Sequence, residues 1–246
     1  MKAPYKVLYS NDTTNIETCI SPYHKKGEPF RENMLTATVD ETANTGVEVH
    51  MLQPGLGWIP FWKSKEYPIE KHIEFVAEKF GETPYDNGYA AYLADGGDMV
   101  KVFVERCRQQ NLSPFVSLRL NDCHGHEVLE AFQKHGEKVG SWAWHALTPV
   151  HTEHPDWRIG KKLTGDWKNR ALNWIIPEVR RQKIAFITEL AEQYDIDGLE
   201  LDFMRYCSFF DETQTTSEQR TEIITGFVRE VRRILDRTAE PDQHRW

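Results

Sequence analysis

The sequence has no excess of positive charge. Its formal net charge is −8, whereas a groove built around a phosphate backbone is ordinarily basic, so nucleic acid is not expected as a partner. No apolar run approaches the ~20 residues that span a bilayer, and no membrane association is expected. An apolar leader is missing too. Met1-Lys-Ala-Pro-Tyr5 runs straight into a strand-like segment, which predicts a cytoplasmic protein if this N-terminus is the native one. Cysteine is scarce: Cys19, Cys107, Cys123 and Cys207 show no CxxC spacing. They read as free thiols, although spacing alone leaves one disulfide open. No phosphate-cradling Gly-x-Gly-x-x-Gly follows a strand, since Gly55-Leu-Gly57 alone is weak, and no Gly-x-Ser-x-Gly elbow is present. No cofactor is expected. Repeats and low-complexity tracts are also absent.

What is present suits a folded chain. Of 246 residues, 39% are hydrophobic and 28% are charged with mixed sign, which reads as one domain over 1–246. Four β-like runs stand out at 5–10, 47–52, 115–120 and 198–203, each rich in Val, Leu, Tyr or Phe and bounded by turn formers. Helical patterns lie between and after them at 31–44, 69–80, 97–110, 127–138, 177–194 and 216–237. Pro177 suits a first helical turn, and Ile184, Ile187, Leu190 and Ala191 make one apolar stripe after it. Alternation of strand and helix predicts an α/β fold with parallel βα units. Helix-to-strand links are short and strand-to-helix links are long, as in (β/α)₈ barrels, whose active sites lie at strand C-termini. Only four βα units are evident, which implies a partial barrel, incomplete at the C-terminal side. Its open sheet edges would invite self-association. The run 141–147 is the best candidate for an overlooked strand.

Alternation on the fourth strand puts Gly198, Glu200 and Asp202 on one face and Leu199, Leu201 and Phe203 on the other. In a barrel the apolar set meets the helices, so both carboxylates point inward, with Asp202 nearest the mouth. Asp202 is the candidate nucleophile or base, and Glu200 is a second acidic candidate. The two leave one strand in one direction, about 6.6 Å apart at Cα. Carboxyls that cleave a glycoside flank the bond from different sides, so the acid partner of Asp202 should come from another strand. Candidate substrate-binding residues at the neighbouring strand ends are Asn11 and Asp12, His50 and Gln53, then Arg119, Asn121, Asp122 and His124, with Arg205 after the fourth strand. Arginine and amide groups suit hydroxyl or carboxylate recognition. The structural alternatives are an Asp–Arg or Glu–Arg pair neutralising the barrel interior and a capped turn at Asn121 or Asp122. Tryptophans gather after the second strand (Trp58, Trp62) and before the fourth (Trp142, Trp144, Trp157, Trp167, Trp174). They either stack on sugar or pack long loops. Trp58 is the preferred ligand contact, because the Pro54-Gly-Leu-Gly57 bend should expose it. Asp122, His124, His126, His151 and His154 could be read as metal ligands. The His-x-His follows the third strand without matching partners on others, so no metal is assigned.

The stretch Asn173-Trp-Ile-Ile-Pro-Glu-Val-Arg180 and then Tyr194-Asp-Ile-Asp-Gly-Leu-Glu-Leu-Asp-Phe-Met-Arg-Tyr206 resembles the glycoside-hydrolase-like family 10 proteins. The resemblance implies a (β/α)₈ barrel acting on carbohydrate, with an aspartate at the end of the fourth strand as nucleophile, the place held by Asp202. Members often end this strand with two adjacent aspartates, and here Phe203 stands second. The expectation is a glycoside hydrolase acting on an oligo- or polysaccharide. The alternatives are a non-catalytic carbohydrate-binding or assembly module and a metal-dependent hydrolase using the His-rich loops.

Overall fold

In the computed structural model of the chain, residues 4–18, 22–25, 27–83, 88–140, 143–160 and 166–246 are described. The elements in order are β1 (Leu8–Asp12), α1 (Thr13–Thr18), α2 (Glu32–Thr42), β2 (Val49–Gln53), α3 (Ile69–Phe80), α4 (Tyr89–Ala94), α5 (Met99–Gln109), β3 (Ser113–Arg119), α6 (His126–His135), α7 (Ala143–Ala146), α8 (Pro149–Thr152), α9 (Pro177–Gln193), β4 (Gly198–Asp202) and α10 (Ser217–Thr238). The four strands form one parallel sheet in the order β1-β2-β3-β4. Each strand lies beside its predecessor, which is barrel topology. A doubly wound sheet would reverse its strand order and carry helices on both faces. The chain is thus an α/β fold of partial-barrel type. Among the described residues no helix is long and apolar enough to cross a membrane.

The helix-side core explains the pattern. Leu52 of β2, Val116 and Leu118 of β3 and the half-buried Leu199 and Leu201 of β4 pack with Leu35 of α2, Phe103 of α5 and Phe186, Ile187 and Leu190 of α9. Helix α5 starts at Asp98, whose carboxylate accepts the Lys101 N–H at 2.9 Å, as a capping aspartate should. The same carboxylate accepts the Tyr194 hydroxyl at 2.7 Å. At the far end of α5 the Arg108 guanidinium forks onto Asp197, both bonds at 2.8 Å, and reaches Asp195 at 3.0 Å. Tyr194, Asp195 and Asp197, conspicuous in the sequence, therefore tie the entry of β4 to α5.

The inner face grades from apolar to polar along the strands. Strand register aligns Ser10, Met51, Phe115 and Gly198, and the next inward row holds Asp12, Gln53, Ser117 and Glu200. Val49, Met51 and Phe115 form the apolar floor, covered by Tyr5 and Trp246. Trp246 donates its N–H to the Asp197 carbonyl and accepts from the Leu199 N–H, both at 2.8 Å. Those two bonds are the signature of a parallel bridge to the free edge of β4.

Several details differ from the sequence expectation, which also lacked the short helices α4 and α8. Strand β1 is displaced toward the C-terminus from 5–10 because Tyr5 leaves the ladder to pack edge-on against Phe115, ring centroids 5.6 Å apart. Helix α1 was not anticipated: it is six residues long and starts where Asp12 accepts the N–H and hydroxyl of Thr14, at 2.9 and 2.6 Å. The candidate strand at 141–147 forms the short helix α7 instead, with 141–142 outside the described residues. There Trp144 is buried in a satellite cluster with Val76 of α3 and Leu129 of α6, away from the sheet.

Gly198 is required by packing. A β-carbon there would stand 2.3 Å from the Phe115 ring, which is already enclosed. Gly198→Val is expected to destabilise the fold by about 1–3 kcal/mol through overpacking. Urea unfolding would check this, and an unchanged midpoint would remove the packing argument.

Candidate active site at the strand C-termini

Arg119 is the hub of the site. It ends β3, is 6% exposed, and donates through Nη2 to Asp12 of β1 and through Nη1 to Asp122 Oδ2 at 3.4 Å. One buried cation thus joins two strand ends and the β3–α6 loop. Asp122, 2% exposed, uses its other oxygen to accept the His124 backbone N–H at 2.9 Å and the His124 Nδ1 at 2.8 Å. A carboxylate at Nδ1 places the proton there and leaves the Nε2 lone pair facing outward. His124 Nε2 in turn accepts from Arg205 Nη2 at 3.2 Å. The capped-turn reading of Asp122 therefore holds together with an ion pair and an oriented imidazole.

Asp202 is half-buried on the inner side of the β4 end, in register with Arg119. Its Oδ1 accepts the Met204 and Arg205 N–H groups at 2.8 and 3.2 Å. Oδ2 carries no hydrogen bond among the described residues. Phe203 points the opposite way, into the helix-side core against Phe209 (centroids 5.4 Å), so it offers nothing to the mouth. Glu200 lies one row deeper, half-buried beside Ser117, with no ion pair among the described residues. Beyond Arg205, Tyr206 adopts φ 61° and sets its ring against His124 (5.0 Å) and Trp167 (5.6 Å).

The structure therefore brings Asp12, Arg119, Asp122, His124, Asp202 and Arg205 together. It places others differently. His50 faces the helices: its Nδ1 meets Thr42 Oγ1 at 3.0 Å, its ring meets Phe103, and burial lowers its pKa to about 4. Asn11 is buried on that same side of β1, in register with Leu52. Asn121 is fully buried and its amide is spent on Leu172 O (2.8 Å), Ser208 O (2.7 Å) and Leu172 N (3.3 Å). It clamps the loop ahead of α9 to the loop after β4. Gln53 is buried in the row below Arg119, beside Asp12, and neither amide atom has a partner among the described residues.

Trp58 is a correction. The 54–62 segment is buried throughout, and Trp58 is 2% exposed. Its Nε1 donates to the Asp122 carbonyl at 2.9 Å, so the ring props the site from below. The turn lies close to β3: Gly57 has φ 95°, and a β-carbon there would meet the Arg119 carbonyl at 2.5 Å. Lys183 of α9 sits 3.7 Å over the Trp58 ring and donates to the carbonyls of Gly57 and Arg119, the latter at 3.0 Å. Sequence reasoning passed over Lys183. Its signal was a lysine inside the apolar face formed by Val179, Phe186, Ile187 and Leu190. Glu189 on that face similarly receives Trp62 Nε1 (3.3 Å), Ser64 Oγ (2.6 Å) and the Glu66 N–H (3.0 Å). Helix α9 therefore grips the whole β2–α3 loop.

The histidines do not assemble into one ligand set. His126 and His151 are buried side by side (centroids 4.7 Å), and desolvation depresses both pKa values, that of His126 to about 4. His154 stacks on Trp157 at 3.8 Å. No group of three or more His, Cys, Asp or Glu side chains able to hold a metal ion occurs among the described residues. Cys107, Cys123 and Cys207 are free thiols, while Cys19 lies outside the described residues.

No family model and no curated protein matches this sequence, so the resemblance to glycoside-hydrolase-like family 10 stands on the residues that carry it. Solved structures do match, and they are glycoside hydrolase folds. An α-amylase from Geobacillus thermoleovorans is 14% identical, covers 93% of this chain and 44% of its own, and gives a TM-score of 0.49. The catalytic module of the glycogen-degrading pneumococcal virulence factor SpuA is 12% identical over 93% of this chain and 30% of its own, with TM-score 0.47. A glycoside hydrolase 29 family member from an unknown rumen bacterium is 13% identical over 92% and 32%, with TM-score 0.40. The chain spans less than half the length of each of these three. At such similarity the likeness concerns the course of the chain and does not extend to the site.

Lys183 gives the site a measurable signature. Complete burial lowers its pKa from 10.5 to about 7. Between those values the unfolded chain binds the extra proton, so stability should rise with pH. The stability of the wild type relative to Lys183→Met is expected to increase from pH 7 to pH 10, with a slope of up to about 1.4 kcal/mol per pH unit. Urea titrations of both proteins across that range would measure it, and a flat difference would contradict the depressed pKa.

Proposed function

We propose that this chain supplies part of the active site of a glycoside hydrolase acting on an oligo- or polysaccharide, with Asp202 as nucleophile or base. One observation carries the reading. The Asp202 carboxylate stands at the C-terminal end of β4, oriented by two backbone N–H groups on one oxygen and, among the described residues, free on the other. As nucleophile, Oδ2 would bond to the anomeric carbon while the bond to the leaving oxygen breaks and that oxygen takes a proton from a general acid. As base, it would take a proton from the attacking water. Glu200 does not suit the acid role, because it leaves the same strand in the same direction. Asp12 and Asp122 do not suit it either, since both are engaged by Arg119. The resemblance to glycoside-hydrolase-like family 10 over 173–206 supports the same assignment.

The second reading is a carbohydrate-binding or assembly module without turnover. It is favoured by the absence, among the described residues, of an unpaired carboxyl on the strands opposite Asp202. Assembly would use the β1 edge, where Val7, Leu8 and Tyr9 are 46%, 49% and 41% exposed. An apolar edge of this kind supports self-association.

The first test is turnover of a panel of aryl glycosides and soluble polysaccharides by the full chain. Asp202→Asn is expected to reduce it by roughly a thousandfold or more with the unfolding midpoint unchanged. Retention of activity in that variant would remove Asp202 from the chemistry. Binding without turnover by the wild type would favour the module. Sedimentation across a concentration series tests the edge: a growing dimer fraction that Tyr9→Lys suppresses is expected, and a monomer at every concentration would refute it.

A further inference from the structure

We infer that the sugar bound at this mouth carries a carboxylate, a uronic acid residue, and that Arg205 is the fork that receives it. The inference rests on the reading of Asp202 as the reactive group and adds a substrate class to it.

Among the described residues, the mouth holds one cation without an acidic partner. Asp12 and Asp122 share Arg119. Asp202 is held by backbone N–H groups. Arg205 is an exposed guanidinium without an acidic partner among the described residues; its side chain makes one hydrogen bond, through Nη2 to His124. A guanidinium has five N–H donors in a rigid plane. Most of those on Arg205 are therefore free to meet a planar anion in the bidentate geometry that arginine favours.

The guanidinium is also held in place. Buried Asp122 sets the His124 tautomer, His124 Nε2 accepts from Nη2, and the Arg205 backbone N–H bonds Asp202. The fork is thus tied at its backbone to Asp202, the group proposed to react, and at its head to His124. Binding needs less ordering when the donor is already oriented. Beside it stand the half-buried rings of Trp167 and Tyr206, 5.6 Å apart and tilted by 56°. They supply an apolar wall of the kind that meets a sugar face.

The choice of carboxylate over phosphate follows from the surroundings. The mouth holds Asp12, Asp122, Asp202 and Glu200, and the chain has a net charge of −8. A dianion would meet strong repulsion there, whereas a monoanion needs only the one fork.

The test is calorimetric titration of the full chain with matched trisaccharides: one bearing glucuronic or galacturonic acid, its neutral counterpart, and a phosphorylated counterpart. The uronate is expected to bind roughly tenfold or more tightly than the neutral sugar. Arg205→Ala should abolish that preference, weakening the uronate roughly tenfold more than the neutral sugar. Arg205→Lys should lose most of it, since a point charge cannot form the fork. His124→Asn should weaken it by freeing the guanidinium. Asp202→Asn should retain the uronate preference even when turnover is gone, which separates failure of this inference from failure of the catalytic assignment. Equal affinity for uronate and neutral sugars, tighter binding of the phosphorylated sugar, a preference surviving in Arg205→Ala, or no binding at all would overturn the inference. Circular dichroism would establish that each variant is folded.

Discussion

The site depends on one buried cation. Arg119 is drawn out of water at the end of β3, and an unpaired guanidinium there would cost several kcal/mol. Asp12 and Asp122 compensate it, and in doing so they fix the ends of β1 and β3 and the start of the β3–α6 loop relative to one another. Removing either carboxylate would leave a buried charge partly uncompensated. The Arg119 carbonyl extends the same constraint outward, because Lys183 donates to it from α9.

Beneath the hub lies a layer that touches no solvent. Trp58 holds the Asp122 carbonyl, Lys183 lies over Trp58, and Gly57 lets the backbone approach β3 closely enough for both. Two neutral histidines fill the space beside Trp58. Burial keeps them neutral, and it is also what makes Lys183 easy to deprotonate. The polar side chains visible at the mouth are accurate in position because this dry layer is closely packed. Catalytic and binding groups carried on loops gain precision from such support.

Much of the architecture was legible in the sequence. Strand and helix patterns, the asymmetry of connection lengths and the inward set Gly198, Glu200 and Asp202 all follow from periodicity and turn chemistry. These are local signals, so they survive without coordinates. Short or irregular pieces were not legible. Helix α1 has too few residues to show a period, and the Trp144 segment reads as a strand because its apolar residues serve a satellite core that only exists once α3 and α6 meet.

The sequence by itself determined which residues crowd the strand ends: acidic groups on β1 and β4, an arginine on β3, histidine and aspartate just after it. It could not determine which of them face inward as free groups. Asn121 and Trp58 looked like ligand contacts, and tertiary packing consumed both, one to clamp two loops and the other to prop Asp122. His50 sits on a strand whose alternation turns it to the helices. Lys183 and Glu189 act on a loop more than a hundred residues away in the chain. Hydrogen bonds of that span have no local signature. The physical reason is general: periodicity encodes which face of an element is buried, whereas the pairing of individual polar groups depends on what the rest of the chain brings against that face.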